Sequence, residues 1–180
     1  MALKPTIYKA KIVLSDLNRD YYDTLHLTIA QHPSETLERM MVRVLAFCLN
    51  AQPNLTFTKG LSTPDEPDIM ARDLSDAVTL WIDVGEPAVE RTKKAARIAK
   101  TVKVYSFNTK ANVWWSQNGA GFQALNVDVY QFHWDDVKAL LTLVERTMDF
   151  SITVSGETVY VSAAAGDREV NFVVLNKASM

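Results

Sequence analysis

The residues best suited to chemistry are the acids of Asp65-Glu66-Pro67-Asp68 and Asp83, which stands fifteen positions beyond Asp68 near the end of Val78-Thr79-Leu80-Trp81-Ile82-Asp83-Val84. A Pro-Asp followed by a buried strand that ends on a carboxylate is the skeleton of a phosphodiesterase site with one or two metal ions. Carboxylates from two converging segments can hold Mg²⁺, which polarises a phosphate and lowers the pKa of a bound water. A carboxylate near the end of a buried strand is costly unless it is paired or metal-bound. The competing reading needs no catalysis, because such acids commonly cap helices or pair with Lys and Arg.

The elements that must position these acids are readable from periodicity. Alternation over Thr6–Leu14 and Tyr22–Ala30, around a polar turn, predicts an N-terminal β-hairpin. Pro33 and Ser34 open a predicted helix over Glu35–Leu49. Its apolar stripe is Leu37, Met40, Met41, Val44 and Cys48. Glu38 falls on the flank shared with Met41, Leu45 and Leu49, whereas Glu35 and Arg39 fall on the far side and can pair at i,i+4.

Leu55–Thr58 reads as a short strand, and Lys59–Ser75 as a loop with room for one helical turn at Ile69–Arg72. Val78–Val84 reads as a strand buried on both faces, and Pro87 starts a helix over Ala88–Lys100. Strands at Thr101–Phe107 and Leu125–Phe132 then alternate with helices at Lys110–Gln117 and Asp135–Glu145, which implies parallel crossovers. Strands at Asp149–Val154, Thr158–Ser162 and Glu169–Leu175 close the chain as a β-meander. The expected fold class is α/β. It is one domain over residues 1–180, with a central mixed sheet flanked by helices, the hairpin at one end and the meander at the other.

Composition narrows the function. The chain of 180 residues carries a net charge of −2, which argues against a DNA-coating protein but leaves room for a local basic patch. Arg91, Lys93, Lys94, Arg97 and Lys100 make one helix positive, and that helix suits a phosphate backbone or a solvated face equally. The single cysteine, Cys48, permits no intrachain disulfide and no cysteine zinc cage, and its place on the apolar stripe makes it inert. The opening residues do not read as a signal peptide, and no apolar run reaches membrane-spanning length, so a cytoplasmic protein without a membrane partner is expected. His26, His32 and His133 are too scattered to form a metal set, and local turn bonding is the favoured role for His32. Trp114, Trp115, Tyr105 and Phe107 could stack on bases, although core packing is favoured.

Several segments together resemble one family. His32-Pro33-Ser34-Glu35-Thr36-Leu37-Glu38-Arg39-Met40-Met41-Val42-Arg43, Leu80-Trp81-Ile82-Asp83-Val84-Gly85, Arg91-Thr92-Lys93-Lys94-Ala95 and Tyr105-Ser106-Phe107-Asn108 are similar to the YaeQ family of bacterial proteins. So are Trp114-Trp115 and the opening Met1-Ala2-Leu3-Lys4. The resemblance implies a variant of the restriction-endonuclease-like, PD-(D/E)xK fold. There a helix supplies a Glu, a loop or strand start supplies an Asp, and the next strand supplies D/E-x-K. Carried over, the helix acid is Glu38, the loop acid is Glu66 or Asp68, and the strand acid is Asp83, together ligating Mg or Mn.

The lysine expected two residues after Asp83 is missing, because that position is Gly85. The following helix offers Arg91, Lys93 and Lys94 instead; the wheel puts Arg91 nearest the apolar arc, and a lysine can snorkel towards the strand end. The leading expectation is a metal-dependent phosphodiesterase or nuclease acting on nucleic acid, with Asp83, Glu38 and Lys94 as its catalytic set and Lys94 stabilising phosphate charge. The alternative is a non-catalytic module that keeps the nuclease-like fold and binds nucleic acid or protein; the missing lysine favours it. A third expectation is a homo-oligomer or scaffold joined along the edge of the C-terminal meander.

Overall fold

Alternation of apolar and polar residues builds the hairpin that begins the fold. The computed structural model describes residues 4–59 and 64–179. Strand β1 (Thr6–Asp16) pairs antiparallel with β2 (Tyr21–Gln31), and Ala10, Ile12, Leu14 and Asp16 point inward. Helix α1 (Leu37–Leu49) starts where the Thr36 hydroxyl accepts the Arg39 N–H at 3.2 Å. After it come β3 (Leu55–Phe57), β4 (Ile69–Arg72) and β5 (Val78–Val84), then α2 (Val89–Ile98), β6 (Thr101–Ser106), α3 (Ala111–Gln123), β7 (Asp128–Phe132) and α4 (Trp134–Leu140). A 3-10 turn at Leu141–Leu143 leads into β8 (Thr147–Ser155), β9 (Thr158–Ala163) and β10 (Gly166–Asn176).

All ten strands join one mixed sheet in the order β2-β1-β8-β9-β10-β7-β6-β5-β4-β3. The expected parallel crossovers are present, with β5, β6 and β7 parallel neighbours. The chain is therefore a single α/β domain with four helices. Two cores cover the two sides of the sheet. Helix α1 packs into the first with Ile82, Phe132, Phe150 and Val161. The second joins Trp81, Val102, Val104 and Phe122 to Ala95 of α2.

Helix α1 touches both β2, at one edge of the sheet, and β5, near the other, so the sheet curls around it. Every residue from Met40 to Cys48 is buried. A helix enclosed in this way has no solvent side. The far side assigned to Glu35 and Arg39 is thus an interior surface, and this corrects the wheel reading.

Three further expectations change. Ile69–Arg72 is a strand, not a helical turn: it lies between β3 and β5, antiparallel to both, with Ile69 and Ala71 buried in alternation. Residues 60–63 of the expected loop lie outside the described residues, as do Met1, Ala2 and Leu3 of the opening. Helix α3 runs past Gln117 to Gln123 through Gly119 and Gly121. A Cβ on Gly119 would stand 3.1 Å from the Trp115 ring, and one on Gly121 would stand 3.1 Å from Val89, so both glycines serve close packing. Finally, the meander is built into the sheet on both sides: β8 pairs with β1, and Phe172–Asn176 of β10 pair with β7, while Gly166–Asn171 of β10 pair with β9.

Candidate functional site

Antiparallel register creates the site. Ile69 of β4 stands opposite Ile82 of β5, so Asp68, one residue outside β4, comes level with Asp83, and its N–H bonds the Ile82 carbonyl at 2.9 Å. Both aspartates are buried, at 5% and 3% exposure. A carboxylate so enclosed must find partners, and each finds an arginine.

Arg91, on the first turn of α2, grips Asp83 with two bonds, Nε to Oδ2 at 3.0 Å and Nη2 to Oδ1 at 3.1 Å. The same guanidinium donates to the carbonyls of Pro64 and Glu66 and lies 6.0 Å from the Trp81 ring centre. On the other side, Arg39 of α1 donates to Asp68 Oδ1 at 2.7 Å, while Asp68 Oδ2 accepts the Val84 N–H at 2.8 Å. Arg39 also donates to Glu35 at 2.6 Å. Glu35 in turn receives two bonds from Arg43, at 2.9 and 2.7 Å, and Arg43 reaches the Ala30 carbonyl of β2. The chain of contacts thus ties three carboxylates to three guanidiniums across α1, α2, β2 and β5.

Burial pushes the Asp83 carboxyl above its ordinary range, Arg91 pulls it back, and nearby Asp68 adds to the rise. Arg91 is held firmly protonated, because Asp83, Asp68 and Asp65 outweigh its own partial burial.

This donor set does not suit a divalent cation. Carboxylate oxygen is the right ligand type, but all four oxygens of Asp68 and Asp83 already accept hydrogen bonds. Three carboxylates balance three guanidiniums, so an added Mg²⁺ would leave two positive charges uncompensated in a buried region. Among the described residues no three acidic, His or Cys side chains converge as a metal cage.

The expected site residues therefore fall into two groups. Asp68 and Asp83 come together. Glu38 and Glu66 are half-buried and form no ion pair among the described residues, although the Glu66 backbone carbonyl serves Arg91. Lys94 is exposed and reaches no carboxylate among the described residues; the cation on Asp83 is Arg91. His32 bonds Ser34 in its own turn, His133 sits beside Asp136, and His26 is exposed on β2.

A family model described as YaeQ protein matches residues 1–172. The chain belongs to the YaeQ family. It is 36% identical to the "Uncharacterized protein YaeQ" of Escherichia coli (strain K12) over 99% of this chain and 100% of that one. The YaeQ protein of Salmonella typhi is similar to the same extent. The crystal structure of YaeQ from Xanthomonas axonopodis pv. citri superposes with a TM-score of 0.93 at 34% identity, covering 97% of this chain and 99% of that one. That of YaeQ from Pseudomonas syringae gives 0.90 at 33%, covering 96% of each.

In this YaeQ family member the expected i,i+4 pair of Glu35 and Arg39 forms, and what sequence reading missed is Arg43 on the same carboxylate and the reach of Arg39 to Asp68. One signal was present. Arg43 interrupts Met40-Met41-Val42-Arg43-Val44-Leu45, and an arginine inside an otherwise apolar helix needs a buried acid. Glu35 stands eight residues earlier, with Arg39 midway on the same helical face.

Proposed function

We propose that this chain is a non-catalytic binding module built on a restriction-endonuclease-like core, and that it grips a nucleic-acid phosphate backbone through the exposed face of α2. The observation that carries the reading is the two-bond clasp of Arg91 on Asp83. It fills the strand acid with a permanent cation, where a nuclease would present a carboxylate to a metal ion. The element order α1-β3-β4-β5-α2-β6, with Asp68 level with Asp83, supports the ancestry of the core. Lys93, Lys94, Arg97 and Lys100 are exposed on or just beyond α2 and make no ion pair among the described residues. A row of uncommitted cations on one helix is suited to displacing counterions from phosphates.

One observation favours the metal-dependent nuclease instead. The Arg91 side chain is 35% exposed on a first helical turn, so a substrate could draw it off Asp83. An electrophoretic shift assay with a labelled oligonucleotide, with and without Mn²⁺, decides between the two. The binding module shifts the probe equally with or without metal, leaves it intact, and does so in Asp83→Asn as well. Changing Lys93, Lys94 and Arg97 together to Glu weakens the shift by about tenfold or more at low salt. Cleavage that needs Mn²⁺ and disappears in Asp83→Asn would establish the nuclease.

A further inference from the structure

A second polar site lies on the opposite face of the same sheet. On β6, Val102 and Val104 pack in the second core, so Lys103 and Tyr105 point the other way. There they line a cavity of about 300 Å³ with Asp16, Arg19, Tyr130 and Lys177. An adjoining groove of about 360 Å³ shares Arg19 and Lys103 and adds Lys100.

The charges in this cavity are not equally committed. Asp16 is used up locally: its carboxylate accepts the Asn18 and Arg19 N–H groups and the Arg19 guanidinium at 2.7 Å. Arg19 also donates to the Cys48 and Ala51 carbonyls. Asp128, level with Lys103 on β7, accepts the Ala178 N–H at 2.7 Å and faces Lys177 at 3.5 Å. Lys177 reaches the Tyr130 hydroxyl at 3.2 Å. The Glu157 side chain is exposed at the rim.

Lys103 is left over. It is half-buried in mid-strand, and its ammonium makes no hydrogen bond or ion pair with any described residue. Burial and the nearby charges of Lys177 and Arg19 press it towards losing its proton, and Asp128 only partly resists. Its nitrogen lines the cavity beside Arg19 and Lys177, where a bound anion would hold the proton on it. The Tyr105 hydroxyl, which accepts from Asn50 at 2.8 Å, keeps its own proton to donate.

We propose that this cavity binds the phosphate group of a small phosphorylated molecule, with Lys103 as its central ligand and Arg19 and Lys177 on either side. The volume is at the lower end of small-molecule sites and suits a phosphate monoester of about mononucleotide size. The proposal does not depend on the α2 reading.

The test is calorimetric titration of inorganic phosphate and of adenosine monophosphate into the wild type, Lys103→Met and Lys177→Gln. Saturable binding of both ligands by the wild type is expected, weakened about tenfold or more in Lys103→Met and several-fold in Lys177→Gln. The charge-reversed α2 variant should bind phosphate like the wild type. An oligonucleotide without terminal phosphate should not compete. Circular dichroism establishes that Lys103→Met is folded, and Lys177→Gln, at an exposed side chain, supplies the second reading if it is not. Absence of saturable binding, equal binding by the wild type and a folded Lys103→Met, unchanged binding by Lys177→Gln, or displacement of phosphate by the oligonucleotide would overturn the proposal.

Discussion

At Glu35 two guanidiniums converge on one carboxylate whose side chain is 2% exposed. Removing the charge leaves the buried Arg43 without a carboxylate partner and Arg39 with Asp68 alone. A broken buried pair of this kind costs about 3–5 kcal/mol, although an intact one can contribute little net stability. Glu35→Gln should therefore lower the unfolding free energy by about that amount in urea titration. A loss below about 0.5 kcal/mol would mean that the network does not hold the fold. The i,i+4 pairing of Glu35 with Arg39 was open to sequence reading, but Arg43 and Asp68 as further partners were not. A helical wheel places Glu35 and Arg39 away from the apolar stripe, but α1 is enclosed, so that side is interior too. Asp68 and Asp83 were legible because a Pro-Asp and a strand-end acid stand out against apolar neighbours. That each would be closed by arginine depended on where α1 and α2 lie across the sheet, which is tertiary information.

At the scale of elements, the turn between β5 and α2 favours glycine at position 85. Gly85 has φ of +117°, and its N–H bonds the Tyr105 carbonyl at 2.8 Å. A side chain there meets no steric obstacle within 4 Å, so the objection is to the backbone conformation alone. Gly85→Lys should destabilise the protein by about 1–3 kcal/mol, read from urea titration. A neutral result would show that the turn can adopt negative φ and that the position is open to a side chain. The sequence pattern placed β5, β6, β7 and the helices between them because short apolar runs separated by helical stretches mark buried parallel strands. It failed for β4, whose four residues are too few for a pattern and are fixed by pairing with β3 and β5. It also ended α3 early, because glycine reads as a breaker unless the Trp115 and Val89 contacts that require it are known.

For the whole molecule, one ten-stranded sheet curls around α1, and α2 covers its other face with its cations outward. No helix among the described residues is long and apolar enough to cross a membrane. A chain with a net charge of −2 can still carry a local basic surface, since Lys93, Lys94, Arg97 and Lys100 are exposed on or just beyond α2. The central claim is that the Asp68–Asp83 pair is closed by arginine rather than open to metal. Calorimetric titration of Mn²⁺ into the wild type and Asp83→Asn, each with and without a bound oligonucleotide, tests it most directly. The account predicts no saturable Mn²⁺ binding by either protein in either condition. Saturable binding by the wild type that Asp83→Asn abolishes would contradict it and place a metal centre at Asp83.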